Sequence, residues 1–130
     1  MCSLFSSADP ALWQVQTRSL RLGGMSTSVR LEAFFWAVLE EIGGRDGLSV
    51  AQLLARLQDE LATSDRGIDN FASFLRVCCG RYLALRAEGL VPREGALAAL
   101  GAVDGPAFAA RGELPRPVAH PGASLKVSMP

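Results

Sequence analysis

The most constraining feature of the chain is an abrupt change of hydrophobic period at Ala33, from two residues to 3.6. Before it, Leu20 and Leu22 alternate with Ser19 and Arg21, and Thr27, Val29 and Leu31 alternate with Ser26, Ser28 and Arg30, which is the pattern of half-buried strand. Gly23-Gly24 between the two stretches is a turn signal. After it, Phe35, Val38, Leu39 and Ile42 share one helical face, with Phe34 and Trp36 beside it, and the pattern stops in the Gly-rich run ending at Gly47. A second helix opens at Ser49, where Ser49 and Gln52 have capping-box spacing, and carries Val50, Leu53, Leu54, Leu57 and Leu61 as its apolar stripe. A third helix, capped by Asp69 or Asn70, presents Phe71, Phe74, Leu75, Cys78, Tyr82 and Leu85.

One strand followed by two helices cannot close a core alone. A lone strand leaves backbone donors and acceptors unpaired on both edges, and burying them unpaired is costly. Two helices of this length expose too much apolar surface to stand by themselves. Pairing two chains strand to strand about a two-fold axis removes both problems. Thr27, Val29, Leu31, Phe35, Val38, Leu39, Ile42, Leu53, Leu54 and Leu57 would then form a shared core, with Ser26, Ser28 and Arg30 facing out. A competing arrangement folds 18–22 back through Gly23-Gly24 onto 25–31 as a hairpin within one chain. A dimer joined through such hairpins would hold a four-stranded sheet in place of a slim two-stranded ribbon.

Around this core the organisation is simple: an irregular leader over 1–16, in which Asp9-Pro10 opens a short helical turn holding Leu12 and Trp13, a domain over 17–86, and an Ala-, Gly- and Pro-rich flexible tail over 87–130 with a fragile helical turn at 94–103. The fold class is mainly α, a short N-terminal strand or hairpin followed by amphipathic helices.

Thirteen basic residues balance thirteen acidic ones. That excludes a polyelectrolyte that coats any nucleic acid or anionic membrane, but permits a locally basic surface. From Thr17 to Leu31 there are three arginines, Arg18, Arg21 and Arg30, and no acid. Cys2, Cys78 and Cys79 have the spacing of neither a zinc site nor a disulfide framework, and read as reduced thiols. No secretory segment and no apolar run of roughly 20 residues suggests export or a membrane span, so a cytoplasmic location is expected. His120 in the tail has no partner for catalysis, and Cys2 as an N-terminal nucleophile would need a larger layered fold. No enzyme, metal or cofactor is expected.

The stretch STSVRLEAFFWAVLEEIGGRDGLSVAQLLARL resembles the ribbon-helix-helix family, of which the Arc and methionine repressors are familiar members. The alternating strand, the first helix ending at a Gly, and the Leu48-Ser49-Val50 start of the second helix carry the resemblance. Together with MCSLFSSADPALW, TRSLRLGG and NFASFLRVCCGRYLALR it is similar to a little-characterised bacterial subfamily with a core extended at both ends, over about residues 1–86. Some members of that subfamily bear an aryl-sulfate sulfotransferase name, for which this chain offers neither a phosphosulfate-binding loop nor a catalytic base. The resemblance implies a homodimeric transcriptional regulator of double-stranded DNA. Ser26, Ser28 and Arg30 would face base edges, and the helix start at Ser49 and Val50, with Arg18 and Arg21, would hold phosphates. The alternative is a non-catalytic protein-interaction or assembly module on the same fold, with the third helix or tail meeting an unidentified protein.

Overall fold

The computed structural model describes residues 2–62 and 70–100. A short helix α1 (Cys2–Ser6) and a 3-10 turn (Pro10–Trp13) lead into strands β1 (Val15–Leu22) and β2 (Met25–Glu32). Helices α2 (Ala33–Gly44), α3 (Val50–Ala62) and α4 (Phe71–Ala87) follow, then a second 3-10 turn (Ala98–Leu100). The leader thus contains α1 and the expected turn, in which Asp9 accepts from the Ala11 amide at 3.0 Å. Its last two residues, Val15 and Gln16, pair with Glu32 and Leu31 as the start of β1. The tail from 101 on, His120 included, lies outside the described residues, as does Asp69.

β1 and β2 form an antiparallel hairpin within one chain, closed by Leu22 opposite Met25. Gly23 (φ 59°) and Gly24 (φ 81°) both occupy the left-handed region, as a two-residue primed turn requires. The strand expected to stand alone therefore finds its mate in the same molecule. Alternation dictates which face a residue takes, not which chain supplies the neighbouring strand, and two consecutive glycines make the local pairing accessible.

α2 begins where β2 stops, and the Ala33 amide donates to the Gln14 carbonyl at 2.8 Å, tying the helix start to the residue before β1. The α2–α3 corner is close-packed: the Leu48 amide donates to the Gly43 carbonyl at 2.8 Å, and a Cβ on Gly43 would lie 2.9 Å from the Leu48 oxygen. The capping box forms, with Gln52 N–H donating to Ser49 Oγ at 3.1 Å and Ser49 N–H to Gln52 Oε1 at 2.9 Å. Asn70 caps α4 by accepting from the Ser73 amide.

The helices cover one face of the hairpin, α3 against β1 and α4 against β2. Leu22, Val29, Leu31, Trp36, Val38, Leu39, Leu53, Leu54, Leu75, Cys79, Tyr82 and Leu85 are buried between them, joined by Val91 from the chain beyond α4. Each deeply buried aliphatic side chain contributes roughly 1.5–3 kcal/mol. β1 and α4 thus supply cover from within the chain, and an apolar groove lined by Leu39, Ile42, Leu57, Cys78 and Leu97 stays open beside it.

Candidate nucleic-acid interface

The antiparallel register sorts the ribbon into two faces, because directly opposite residues project to the same side. On the inner face Leu20, Leu22, Val29 and Leu31 meet the helices. On the outer face lie Thr17, Ser19 and Arg21 from β1 and Ser26, Ser28 and Arg30 from β2, and all six are exposed. The ribbon is oily on one side and hydroxyl-rich and cationic on the other.

The two outward arginines are differently held. Arg21 donates to the Gly24 carbonyl at 2.9 Å, which lays its guanidinium over the turn. Neither Arg21 nor Arg30 has an ion-pair partner within 4 Å among the described residues. Glu32, two residues past Arg30, is instead engaged by Arg76 of α4, with Nε to Oε1 at 2.9 Å and Nη2 to Oε2 at 3.4 Å. The hydrogen bond from Arg76 holds the Glu32 carboxyl below its usual range, and the nearby Arg30 charge lowers it further.

Arg18 sits elsewhere. Opposite Val29 in the register, it belongs to the inner face, where its guanidinium stacks 4.5 Å from the Trp36 ring centroid and donates to Glu40 at 3.2 Å. The expected phosphate contact would have to be made from this side, the side of Leu20 and Leu22, by a guanidinium already engaged by Trp36 and Glu40.

At the start of α3, the Ser49 amide is used by the capping box, while Val50 is the first helical residue, with its N–H at the positive end of the helix dipole. The other end of α3 lies by the hairpin tip, where Gln58 Oε1 comes 3.9 Å from the Cβ position of Gly23. Val50 is eight residues away from Gln58, about 12 Å along the helix. The structure thus does not bring Ser49 and Val50 to the tip where Arg21 lies.

Nine of the ten expected dimer-core residues lie in or against this one chain's core. Val29, Leu31, Val38, Leu39, Leu53 and Leu54 are buried, Phe35, Ile42 and Leu57 pack against them half-buried, and Thr27 is half-exposed at the ribbon's inner face. Leu75 and Tyr82 of α4 are buried in the same core as Trp36, and Phe71 and Phe74 pack against it half-buried, stacked on each other with centroids 6.0 Å apart, while Phe34 remains 38% exposed. Cys79 is buried, with its thiol pushed up to about 12 by desolvation. Among the described residues no cluster of three or more metal-ligating side chains occurs, and no helix is long and apolar enough to cross a membrane.

A family model described as a ribbon-helix-helix domain matches residues 15–83, more than half of the chain. The chain belongs to the ribbon-helix-helix family. The match starts at Val15, the first residue of β1, so the family domain includes the hairpin as well as α2, α3 and most of α4. A ribbon-helix-helix domain is in general the mark of DNA-binding, non-enzymatic regulators. The chain is also similar to a solved structure of an uncharacterized protein from Bordetella pertussis Tohama I, with 49% identity, 88% of this chain and 90% of that chain covered, and a TM-score of 0.73. No curated protein matches.

The sequence reasoning missed Thr17 and Ser19 as members of the outward face. Their signal was present in TRSLRL, where they alternate with Arg18, Leu20 and Leu22.

Proposed function

We propose that this ribbon-helix-helix protein is a homodimeric, cytoplasmic transcriptional regulator that lays the outer face of its β-ribbon in the major groove of double-stranded DNA. The observation that carries this reading is the sorting of β2: Val29 and Leu31 are buried, while Ser26, Ser28 and Arg30 stand exposed between them on the opposite face. A two-stranded ribbon fits the major groove, and an arginine can fork onto guanine O6 and N7. Ser26 and Ser28 accept or donate and so discriminate less. Arg21 adds positive charge on the same face. Val50 and Ser49 offer a helix start to a phosphate, a contact that positions the protein on the duplex without reading sequence.

Family membership supports the homodimer. In an antiparallel ladder every second residue of each outer strand points its backbone groups away from its partner, leaving donors for phosphates.

A gel-shift titration on the DNA upstream of the protein's own coding region, repeated with Arg30→Ala, tests the reading. A regulator binds with an affinity that falls steeply with added salt and drops further on the substitution. A protein-interaction module shows neither effect.

A further inference from the structure

Ser19 stands directly opposite Ser28, Arg21 opposite Ser26 and Thr17 opposite Arg30. These six side chains leave the hairpin on the same side and none is acidic or apolar, while the fourth pair on that side, Val15 and Glu32, closes the face at the end away from the turn. Half of the outward face therefore comes from β1, a strand additional to the single one by which each chain of a minimal dimeric ribbon would take part.

Width decides how such a face can be used. Adjacent strands lie about 4.8 Å apart, so a two-stranded ribbon is slim enough for a major groove about 12 Å wide. Joining two hairpins edge to edge would give four strands spanning roughly 14 Å between the outer backbones alone, before any side chain is added. That sheet cannot enter the groove, whereas one hairpin can. The polar face also ends where a groove-inserted tip should end: Gly23 and Gly24 carry no side chain at the turn, and Arg21 is pinned over it by its bond to the Gly24 carbonyl. One guanidinium N–H is used there, leaving the others for an acceptor pair beyond the surface.

We propose, resting on the DNA-binding reading above, that the ribbon entering the groove is the hairpin of a single chain, with Ser19 and Arg21 of β1 contacting base edges alongside Ser28 and Arg30 of β2. Each chain is then a complete reader of one half-site. Two chains read two half-sites spaced by a helical turn, about 10 base pairs, instead of sharing one ribbon between them.

The test uses the full-length protein and duplexes it enriches from a pool with a random 30-base-pair core. Affinity for the most enriched duplex and for its single-base variants is compared for wild type, Arg30→Lys, Arg21→Lys and Ser19→Ala. Lysine keeps the charge but lacks the planar fork. Arg21→Lys and Arg30→Lys are each expected to lose roughly tenfold in affinity and to relax base preference at different positions, with the salt dependence unchanged. Unaltered far-UV dichroism and melting temperature identify these losses as recognition rather than folding. If Arg30→Lys weakens binding while Arg21→Lys and Ser19→Ala bind with every base preference intact, β1 is a bystander: the inference falls and the DNA-binding reading stands. If wild type enriches no duplex, both fall.

Discussion

The Arg18 guanidinium lies over the face of Trp36, 4.5 Å from its ring centroid, and donates to Glu40 at 3.2 Å. Trp36 is in turn fixed by its Nε1–H, which donates to the Gln16 carbonyl at 3.0 Å. β1 and α2 are clasped by this arrangement on the face away from the outward arginines. Arg18→Ala is expected to cost about 0.5–1 kcal/mol, a figure already reduced for partial exposure, through lost stacking and stem packing. Urea denaturation of the variant checks this, and its base preference on any bound duplex should match wild type.

Glu32 and Arg76 couple the end of β2 to α4. Arg76 lowers the Glu32 pKa on folding, so the stabilisation is fully present above the carboxyl's ordinary value of 4.5 and is lost as pH falls through the lowered folded value. The pair is partly exposed, and its contribution is about 0.5 kcal/mol after screening. Glu32→Gln should therefore be less stable than wild type at pH 7, with the difference vanishing in acid. A gap in unfolding midpoint that persists well below the carboxylate range would contradict this assignment.

Gly43 and Gly44 are neighbours with opposite prospects. A Cβ at Gly43 meets the Leu48 carbonyl oxygen at 2.9 Å, and backbone cannot swing aside, whereas a Cβ at Gly44 meets nothing within 4 Å. Gly43→Ala is expected to destabilise by about 1–3 kcal/mol and Gly44→Ala to be near neutral. Thermal melts of the two variants make the comparison.

The thiols should separate by reactivity. Burial pushes Cys78 up to about 11 and Cys79 up to about 12, while Cys2 is exposed. At pH 8, iodoacetamide should label Cys2 alone in the folded protein and all three after unfolding, read by intact mass.

Much of this architecture was legible in the residues. The period change at Ala33 located both strand and helix, the Ser49–Gln52 spacing foretold a capping box that forms, and alternation put Val29 and Leu31 inside with Ser28 and Arg30 outside. What alternation could not supply was the partner of β2. Facing depends on side-chain chemistry, but backbone pairing is blind to which chain brings the strand, so the alternating pattern fits an interchain ribbon and an intrachain hairpin equally well. The face that Arg18 takes is a different matter: charge counted along a segment does not sort sides, whereas the alternation around Leu20 and Leu22 assigns that residue to the inner one. Its attraction to Trp36 and Glu40 bridges some twenty residues and leaves no local trace.

The most direct measurement is an amide chemical-shift map of the isotopically labelled protein on titration with an enriched duplex. The largest changes should fall on residues 17–21 and 26–30 and grow together to saturation, with α4 nearly silent. Changes centred on α4, or none in the hairpin at saturating duplex, would contradict the assignment of that face to DNA.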